Sequence, residues 1–157
     1  MLDLLDGTDR RILNILQVDG GISNVELSRR IGLAPATTLE RVRKLKAQGY
    51  ILATVALVDA TKVEQSTVAY VSVSLTMHGA EKVAAFQSHV ESMPQVMECY
   101  HISGESDFLL KIVASDIGAY ESFLLHEFSS IPFIAKVHTS FVLSTVKHHT
   151  RLPIQEP

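Results

Sequence analysis

The chain has 157 residues, of which 46% are hydrophobic and 20% are charged, and its formal net charge at pH 7 is -3. This length suits one domain or two small ones, and the composition is typical of a soluble globular protein. No apolar run approaches the roughly 20 residues that span a bilayer, and a single cysteine excludes an internal disulfide. We therefore expect a cytoplasmic protein with no membrane partner.

Charge divides the chain into two parts. Residues 1–65 contain nine Lys/Arg and eight Asp/Glu, whereas residues 66–157 contain five Lys/Arg, nine Asp/Glu and all seven histidines. This asymmetry predicts two modules with different partners. The predicted boundaries are 1–50 for the first module, 51–65 for a linker strand and 66–157 for the second module.

The first module begins with two predicted helices. In the segment RRILNILQV apolar residues recur at helical spacing, and a Gly-Gly pair ends the pattern. Ser23 and Glu26 then form an S-x-x-E capping box, which predicts that the second helix begins at Asn24. Gly32 fits the left-handed position that closes a helix. The buried side of this helix is predicted to contain Val25, Leu27 and Ile31.

A third helix is predicted from Pro35 to about Gln48, before Gly49. The short, glycine-containing turn that precedes it is typical of a helix-turn-helix. At 100° per residue, one side of the helix should meet the other two helices. That side contains Leu39, Val42 and Leu45, with Thr38 nearby.

The opposite side of the third helix carries small residues first and cations later. The N-terminal residues of a recognition helix read base edges, while Arg and Lys hold phosphates or guanine. A solvated basic face is the alternative, but the turn, the capping box and Pro35 favour double-stranded DNA as the partner. The predicted DNA-binding residues are Ser23, Ala36, Thr37, Glu40, Arg41 and Lys44.

The segment YILATVALVD, residues 50–59, is rich in β-branched residues and predicts a strand or a hairpin wing. After residue 66, strand-like and helical runs alternate in the order β-α-β-β-α-β, which predicts a ferredoxin-like domain and an α+β protein. Two helices can cover only one face of the four-stranded sheet. Because the other face also carries apolar residues, we expect a second copy of the chain to cover it.

Three segments together resemble the leucine-responsive regulatory protein/AsnC family of bacterial and archaeal transcription regulators. They are LDGTDRRILNILQVDGGISNVELSRRIGLAPATTLERVRKLKAQGYI, ECYHISGESDFLLKI and VHTSFVLSTVKHHTRLPI. The resemblance implies a winged helix-turn-helix and an ACT-like sensing domain. It also implies an amino-acid effector and dimers that assemble to octamers. Two residues depart from the family pattern: Ala34, where a serine N-cap is common, and Ser106, where an aromatic residue is common.

The resemblance also implies an effector site in the loop after the second strand of the sensing domain. Its residues would be Ser103, Gly104, Glu105, Ser106 and Asp107, with Thr139 of the final strand as a contact from a neighbouring subunit. In this interpretation Asp107 accepts from the ammonium group of an amino acid, and N–H groups of the turn meet the carboxylate. Alternatively, Asp107 only closes its own turn. Ser106 in place of an aromatic residue favours a polar or small effector side chain.

No motif predicts a cofactor or a metal. P-loop, G-x-G-x-x-G and H-E-x-x-H patterns are absent from the sequence. Cys99 and His101 share one face of a strand, but a structural zinc site needs four ligands, so we expect a buried cysteine beside a histidine. Glu105 and Asp107 are interpreted as turn-capping residues and not as a catalytic pair.

A siroheme decarboxylase-like enzyme is the alternative function, since such enzymes resemble this family in architecture. A DNA reader requires the basic outward face of the third helix, which this sequence has. We therefore expect a DNA-binding regulator and no enzyme.

Overall fold

The computed structural model describes residues 5–76 and 79–155. It divides into two units, Met1–Leu57 with Lys147–Pro157 and Val58–Val146, which we call the DNA-binding unit and the sensing unit after the functions expected from the sequence. The C-terminal tail thus belongs with the first unit, whereas the predicted boundaries placed it in the second module. The reason is that Ile154 packs against the core of the first unit, although it follows the whole sensing unit along the chain.

The three predicted helices are confirmed as α1 (Gly7–Val18), α2 (Asn24–Ile31) and α3 (Pro35–Ala47). Ser23 caps α2, because its hydroxyl accepts from the Glu26 N–H at 3.2 Å. Gly32 closes α2 with φ 75°. The ends of these helices follow from local chemistry, so the sequence placed them well.

The core of the DNA-binding unit is small. It consists of the buried side chains of Ile12, Leu13, Leu27, Ile31 and Leu45. Two side chains predicted to lie in it do not, since Val25 is 69% exposed and Leu39 is 39% exposed. On α3 the place of Leu39 in the core is taken by Thr38, which is fully buried and whose hydroxyl donates to Ala34 O at 3.1 Å.

The strand predicted over the linker is not formed in the described chain. Residues 51–59 have no regular secondary structure, and Ala60–Val63 form a short 3-10 helix. A strand needs a hydrogen-bonded neighbour, and no strand of the described residues pairs with this segment. Its apolar side chains are exposed: Leu52, Val55, Leu57 and Val58.

The sensing unit has the predicted β-α-β-β-α-β order. Its elements are β1 (Thr67–Leu75), α4 (Ala80–Glu91), β2 (Val96–His101), β3 (Phe108–Ala114), α5 (Ile117–His126) and β4 (Ile134–Phe141). The antiparallel sheet has the order β2-β3-β1-β4. Alternate residues of β1 and β3 point toward α4 and α5, where Phe86 packs on Phe108 with ring centroids 4.4 Å apart.

The opposite face of the sheet mixes apolar and charged side chains. Tyr70 and Tyr100 are 38% and 52% exposed. Between them lies the ion pair of Lys111 with Glu98, at 2.9 Å. Cys99, expected to be buried, is exposed because β2 is an edge strand of the sheet.

Candidate nucleic-acid interface and effector site

The outward face of α3 is set by the residues that it buries. Thr38 and Leu45, at 0% and 2% exposure, point into the core. This direction differs by about 50° from the predicted one, which was centred on Val42. The face opposite the core therefore contains Ala36, Glu40, Arg43 and Ala47, which are all exposed. Thr37 and Lys44 flank it on one side, and Leu39 and Lys46 on the other.

The same rotation brings Arg41 toward α1. Its Nη1 atom lies 2.7 Å from Asp6 Oδ2 and 2.8 Å from Asp9 Oδ1. The Asp9 N–H, and then Arg41, hold the pKa of Asp6 below its usual range. These two carboxylates in turn raise the pKa of Arg41. In this structure the Arg41 guanidinium joins α3 to the first turn of α1, and its predicted phosphate contact stays a prediction.

Arg43 was missing from the predicted DNA-binding residues, although it is exposed and points away from the core. The signal that could have identified it is Thr38. A threonine inside a helix can satisfy its hydroxyl on the carbonyl four residues earlier, as Thr38 does on Ala34 O, and can then be buried. Placing Thr38 at the centre of the buried side would have selected Arg43 and excluded Arg41.

The start of α3 is held from α2. Its N-cap residue, Ala34, supplies no side-chain hydrogen bond. Instead, Asn24 Nδ2 donates to Pro35 O at 2.8 Å, which ties the first turn of α2 to the first turn of α3. Asn24 is thus a second residue that the sequence did not identify, and it orients the N-terminal end of the reading helix.

Two basic residues of α2 pair with one carboxylate. Glu26 lies 2.8 Å from Arg29 Nη2 and 2.9 Å from Arg30 Nε. Hydrogen bonds from Arg29, and then from Arg30, lower the pKa of Glu26 to about 2. The Glu26 carboxylate is therefore engaged with arginines, while the backbone half of the capping box, Ser23 with the Glu26 N–H, is formed.

The effector loop is held against β1. The Ile102 N–H donates to Asp107 O at 2.9 Å, and the Asp107 N–H donates to Val73 O at 2.9 Å. The Asp107 carboxylate accepts from the Leu75 N–H at 2.8 Å. Asp107 therefore links the loop to the neighbouring strand. This is a structural role different from both sequence interpretations, and it leaves the ammonium contact as a prediction.

The tip of this loop offers hydrogen-bond donors. Gly104 has φ 130°, a conformation that L side chains rarely adopt. The N–H groups of Gly104, Glu105 and Ser106 make no hydrogen bond with any described residue. Ser103 precedes them and is exposed. A cleft of about 270 Å³ begins at the end of the loop, with a lining of Leu75, Gly79, Ala80, Val83, His101 and Asp107.

Thr139 does not join this loop within one chain. It lies on β4, opposite Val71 of β1, and its hydroxyl is 2.5 Å from the Tyr120 hydroxyl. Burial raises the pKa of Tyr120. Since β4 and β2 are the two edges of the sheet, a Thr139 contact with effector would have to come from a neighbouring subunit, and it stays a prediction.

A larger cleft of about 400 Å³ lies between α4 and β2 and includes Cys99 and His101 in its wall. Partial burial raises the pKa of the Cys99 thiol.

Across the residues that the structure describes, no group of three or more His, Cys, Asp or Glu side chains is arranged to hold a metal ion. In the same part of the chain, no helix is long and apolar enough to cross a membrane.

Comparisons with known proteins cover both units. A family model of the Lrp/AsnC ligand binding domain matches residues 68–152, and a model of a winged helix-turn-helix DNA-binding domain matches residues 5–51. Transcriptional regulator AzlB of Bacillus subtilis is 38% identical over 153 residues, which are 98% of each chain. The leucine-responsive regulatory protein of Klebsiella pneumoniae is 39% identical over 96% of this chain and 92% of that protein.

Solved structures agree with this result. A transcriptional regulator of Neisseria meningitidis, crystallised as a complex with L-Met, superposes with a TM-score of 0.91 at 34% identity, covering 96% of this chain and 97% of that one. The relatives named here are regulators, and they give no support to the decarboxylase alternative.

Proposed function

Because the chain belongs to the Lrp/AsnC family of transcriptional regulators, we propose that it reads DNA with the outward face of α3. An amino acid bound at the loop of residues 103–107 changes this binding. The protein acts in the cytoplasm and has no enzymatic activity. The observation that carries the proposal is the pairing of a helix-turn-helix unit with a ligand-binding domain in one chain.

The DNA contacts divide into two kinds. Ala36, Thr37 and Glu40 lie at the N-terminal half of the exposed face of α3, where short side chains permit close approach to base edges. Arg43 and Lys44 follow one turn later and bring positive charge to the phosphates. Ser23, at the N-terminus of α2, adds a hydroxyl where helix geometry favours a phosphate.

The amino-acid site uses the donors of the loop tip. Three adjacent N–H groups, of Gly104, Glu105 and Ser106, suit a carboxylate. Asp107 lines the adjoining cleft and places a negative charge where the ammonium group would lie. The cleft of about 270 Å³ fits a ligand of amino-acid size, and the Neisseria neighbour was crystallised with L-Met.

Self-association completes the proposal. The apolar side chains of the linker are exposed in the single chain, with Leu52 at 93%, and their backbone has no strand partner among the described residues. The open face of the sheet adds Tyr70 and Tyr100. A second copy that covers these surfaces gives a dimer with two reading helices, and further contacts between dimers give an octamer.

One experiment tests the DNA and effector parts together. Duplexes are selected from a random pool with the full-length chain, and binding of the selected duplex is then measured with each free amino acid by fluorescence anisotropy. We expect a near-palindrome with half-sites about 10 bp apart, or a multiple of that, and one or a few amino acids that change its affinity.

Two controls make the result specific. A thermal-shift screen of the same amino acids should identify the same ligands, since a ligand that binds the native state raises its melting temperature. The Asp107→Ala chain, checked for folding by circular dichroism, should lose the response. Failure to enrich any duplex would contradict the DNA part, and absence of any amino-acid response would contradict the effector part.

A further inference from the structure

The C-terminal segment of the described chain lies along α1. Gln17 Nε2 donates to Leu152 O at 3.2 Å, and the Leu152 N–H donates to Gln17 Oε1 at 2.6 Å. Asn14 Nδ2 donates to Ile154 O at 3.1 Å, and Arg10 Nη1 donates to Gln155 O at 3.4 Å. Side chains of α1 thus pair with the tail backbone as a neighbouring strand would.

The three donors form one surface. Positions 10, 14 and 17 have the i, i+4, i+7 spacing that places side chains on a single helix face. Asn14 is only 8% exposed, so its amide would lose a partner in a desolvated place if the tail left. These contacts recognise the backbone of an extended segment.

Ile154 gives the segment an apolar anchor. It is half-buried and packs against the core of the DNA-binding unit. Leu143 and Val146, which lie nearer to β4, are each 97% exposed. The tail therefore packs at Ile154, among the residues that also make the hydrogen bonds. The stretch that contains Leu143 and Val146 only connects this segment to β4.

The path of the chain gives this contact a consequence. The DNA-binding unit consists of two segments, and the sensing unit is the chain between them. In the sensing unit β1 and β4 are neighbours, and the Val142 N–H donates to Val68 O at 2.9 Å. The linker before β1 and the tail after β4 therefore leave adjacent strands at the same end.

We propose that the α1 face formed by Arg10, Asn14 and Gln17 is a docking site for residues 152–155 of the same chain, and that docking gives the DNA-binding unit a second attachment to the sensing unit. A domain that is joined to another by one flexible linker can occupy many positions relative to it, whereas a second attachment restricts those positions. This consequence rests on the dimer of the proposed function. In that dimer, docking should reduce the range of half-site spacings that the protein binds.

Hydrogen exchange tests the docking itself without DNA. In the full-length chain the Leu152 amide should be protected, and Gln17→Ala or Ile154→Ala should make it exchange about tenfold faster. Leu143→Ala, a truncation of similar size at an exposed tail position, is the matched control and should leave the exchange unchanged. A Leu152 amide that exchanges like unstructured chain in wild type, or equally in wild type and Gln17→Ala, would overturn the proposal.

Mixed isotope labelling tests whether the tail docks on its own chain. Contacts of the Ile154 methyl groups with α1 should appear within one labelled chain. Contacts seen only between differently labelled chains would show that copies exchange tails and would overturn the assignment to the same chain.

A third experiment tests whether docking restricts the half-site spacing. It uses the duplex selected with the wild-type chain and versions of that duplex with 2 bp added or removed between the half-sites. We expect wild type to lose affinity about tenfold on the altered duplexes, and Gln17→Ala and Ile154→Ala to lose about threefold or less. An equal loss in all three proteins would contradict the second attachment. Failure of wild type to bind any duplex would instead contradict the proposed function, and hydrogen exchange would still decide the docking.

Discussion

The two units of this chain are stabilised in different ways. Among the described residues the sensing unit buries fifteen core residues, with Phe86, Phe108 and Phe128 at 0% exposure, whereas the DNA-binding unit buries five apolar core residues. The smaller unit adds polar contacts between its elements: Arg41 with Asp6 and Asp9, Asn24 with Pro35, and Gln17 with Leu152. A small domain cannot bury enough apolar surface, so hydrogen bonds and charges define more of its geometry.

The largest effect is expected in the apolar core of the sensing unit. Phe86→Ala removes a fully buried ring that contacts Phe108 and Phe128, and should lower the free energy of unfolding of this unit by about 3–5 kcal/mol. Leu125→Ala, at a side chain that is 60% exposed, is the control and should cost less than about 1 kcal/mol. Urea denaturation followed by circular dichroism measures both, and equal losses would contradict the assignment of this core.

The second effect separates two arginines of α3. Arg41→Ala should lower the unfolding free energy of the DNA-binding unit by about 1 kcal/mol, because a partly exposed ion pair is lost. Arg43→Ala should leave that stability unchanged, weaken binding to all duplexes alike and reduce the salt slope of binding by about one unit.

Binding isotherms at several salt concentrations, together with thermal denaturation, measure the two arginine variants. Lys44→Ala should behave as Arg43→Ala does, since both side chains are exposed on α3. A normal salt slope for Arg43→Ala combined with a reduced one for a stably folded Arg41→Ala would restore the face predicted from the sequence.

A third, smaller effect is a gain. Ala34→Ser would give α3 the side-chain cap that it lacks, and should stabilise the DNA-binding unit by about 0.5–1 kcal/mol. Ala47→Ser is the control: it makes the same substitution at the C-terminal end of α3, where a serine cannot act as an N-cap, and it should not stabilise the unit. Melting temperatures of the two variants make the comparison, and no gain for Ala34→Ser would show that Asn24 already orients this end sufficiently.

The smallest effect is a dependence on pH. Arg29 and Arg30 lower the pKa of Glu26 to about 2 from 4.5. Because the folded pKa is depressed, this stabilisation is present above pH 4.5 and is lost as pH falls toward about 2. Melting temperatures of wild type and Glu26→Gln should therefore converge between pH 4.5 and 2. A constant difference across this range would show that the ion pairs do not contribute.

Local chemistry explains what could be predicted. Ser23 and Gly32 placed the ends of α2 because capping depends on residues within one turn. The β-α-β-β-α-β order was predicted because alternating and helical apolar patterns are both local. The effector loop was placed at the turn between β2 and β3 for the same reason, with the added resemblance of its sequence.

One error was local, and two features depend on contacts between distant residues. The predicted buried side of α3 was about 50° off because it was centred on Val42 and not on Thr38, whose hydroxyl is satisfied on Ala34 O. The linker was predicted as a strand from composition, but a strand depends on a partner that this chain does not supply within the described residues. The tail contact joins residues 135 positions apart, and no local pattern in the sequence indicates it.

The contact between the tail and α1 also has a consequence for synthesis of the chain. A ribosome completes the three helices of the DNA-binding unit early, but Leu152 and Ile154 emerge about 105 residues after the end of α3. At roughly 5–20 residues per second, the helix-turn-helix waits about 5–20 s for its last packing partners. A chain that terminates early would have a complete reading helix and an incomplete support for it. The packing of the DNA-binding unit is therefore finished only after residues 152–155 have been synthesised.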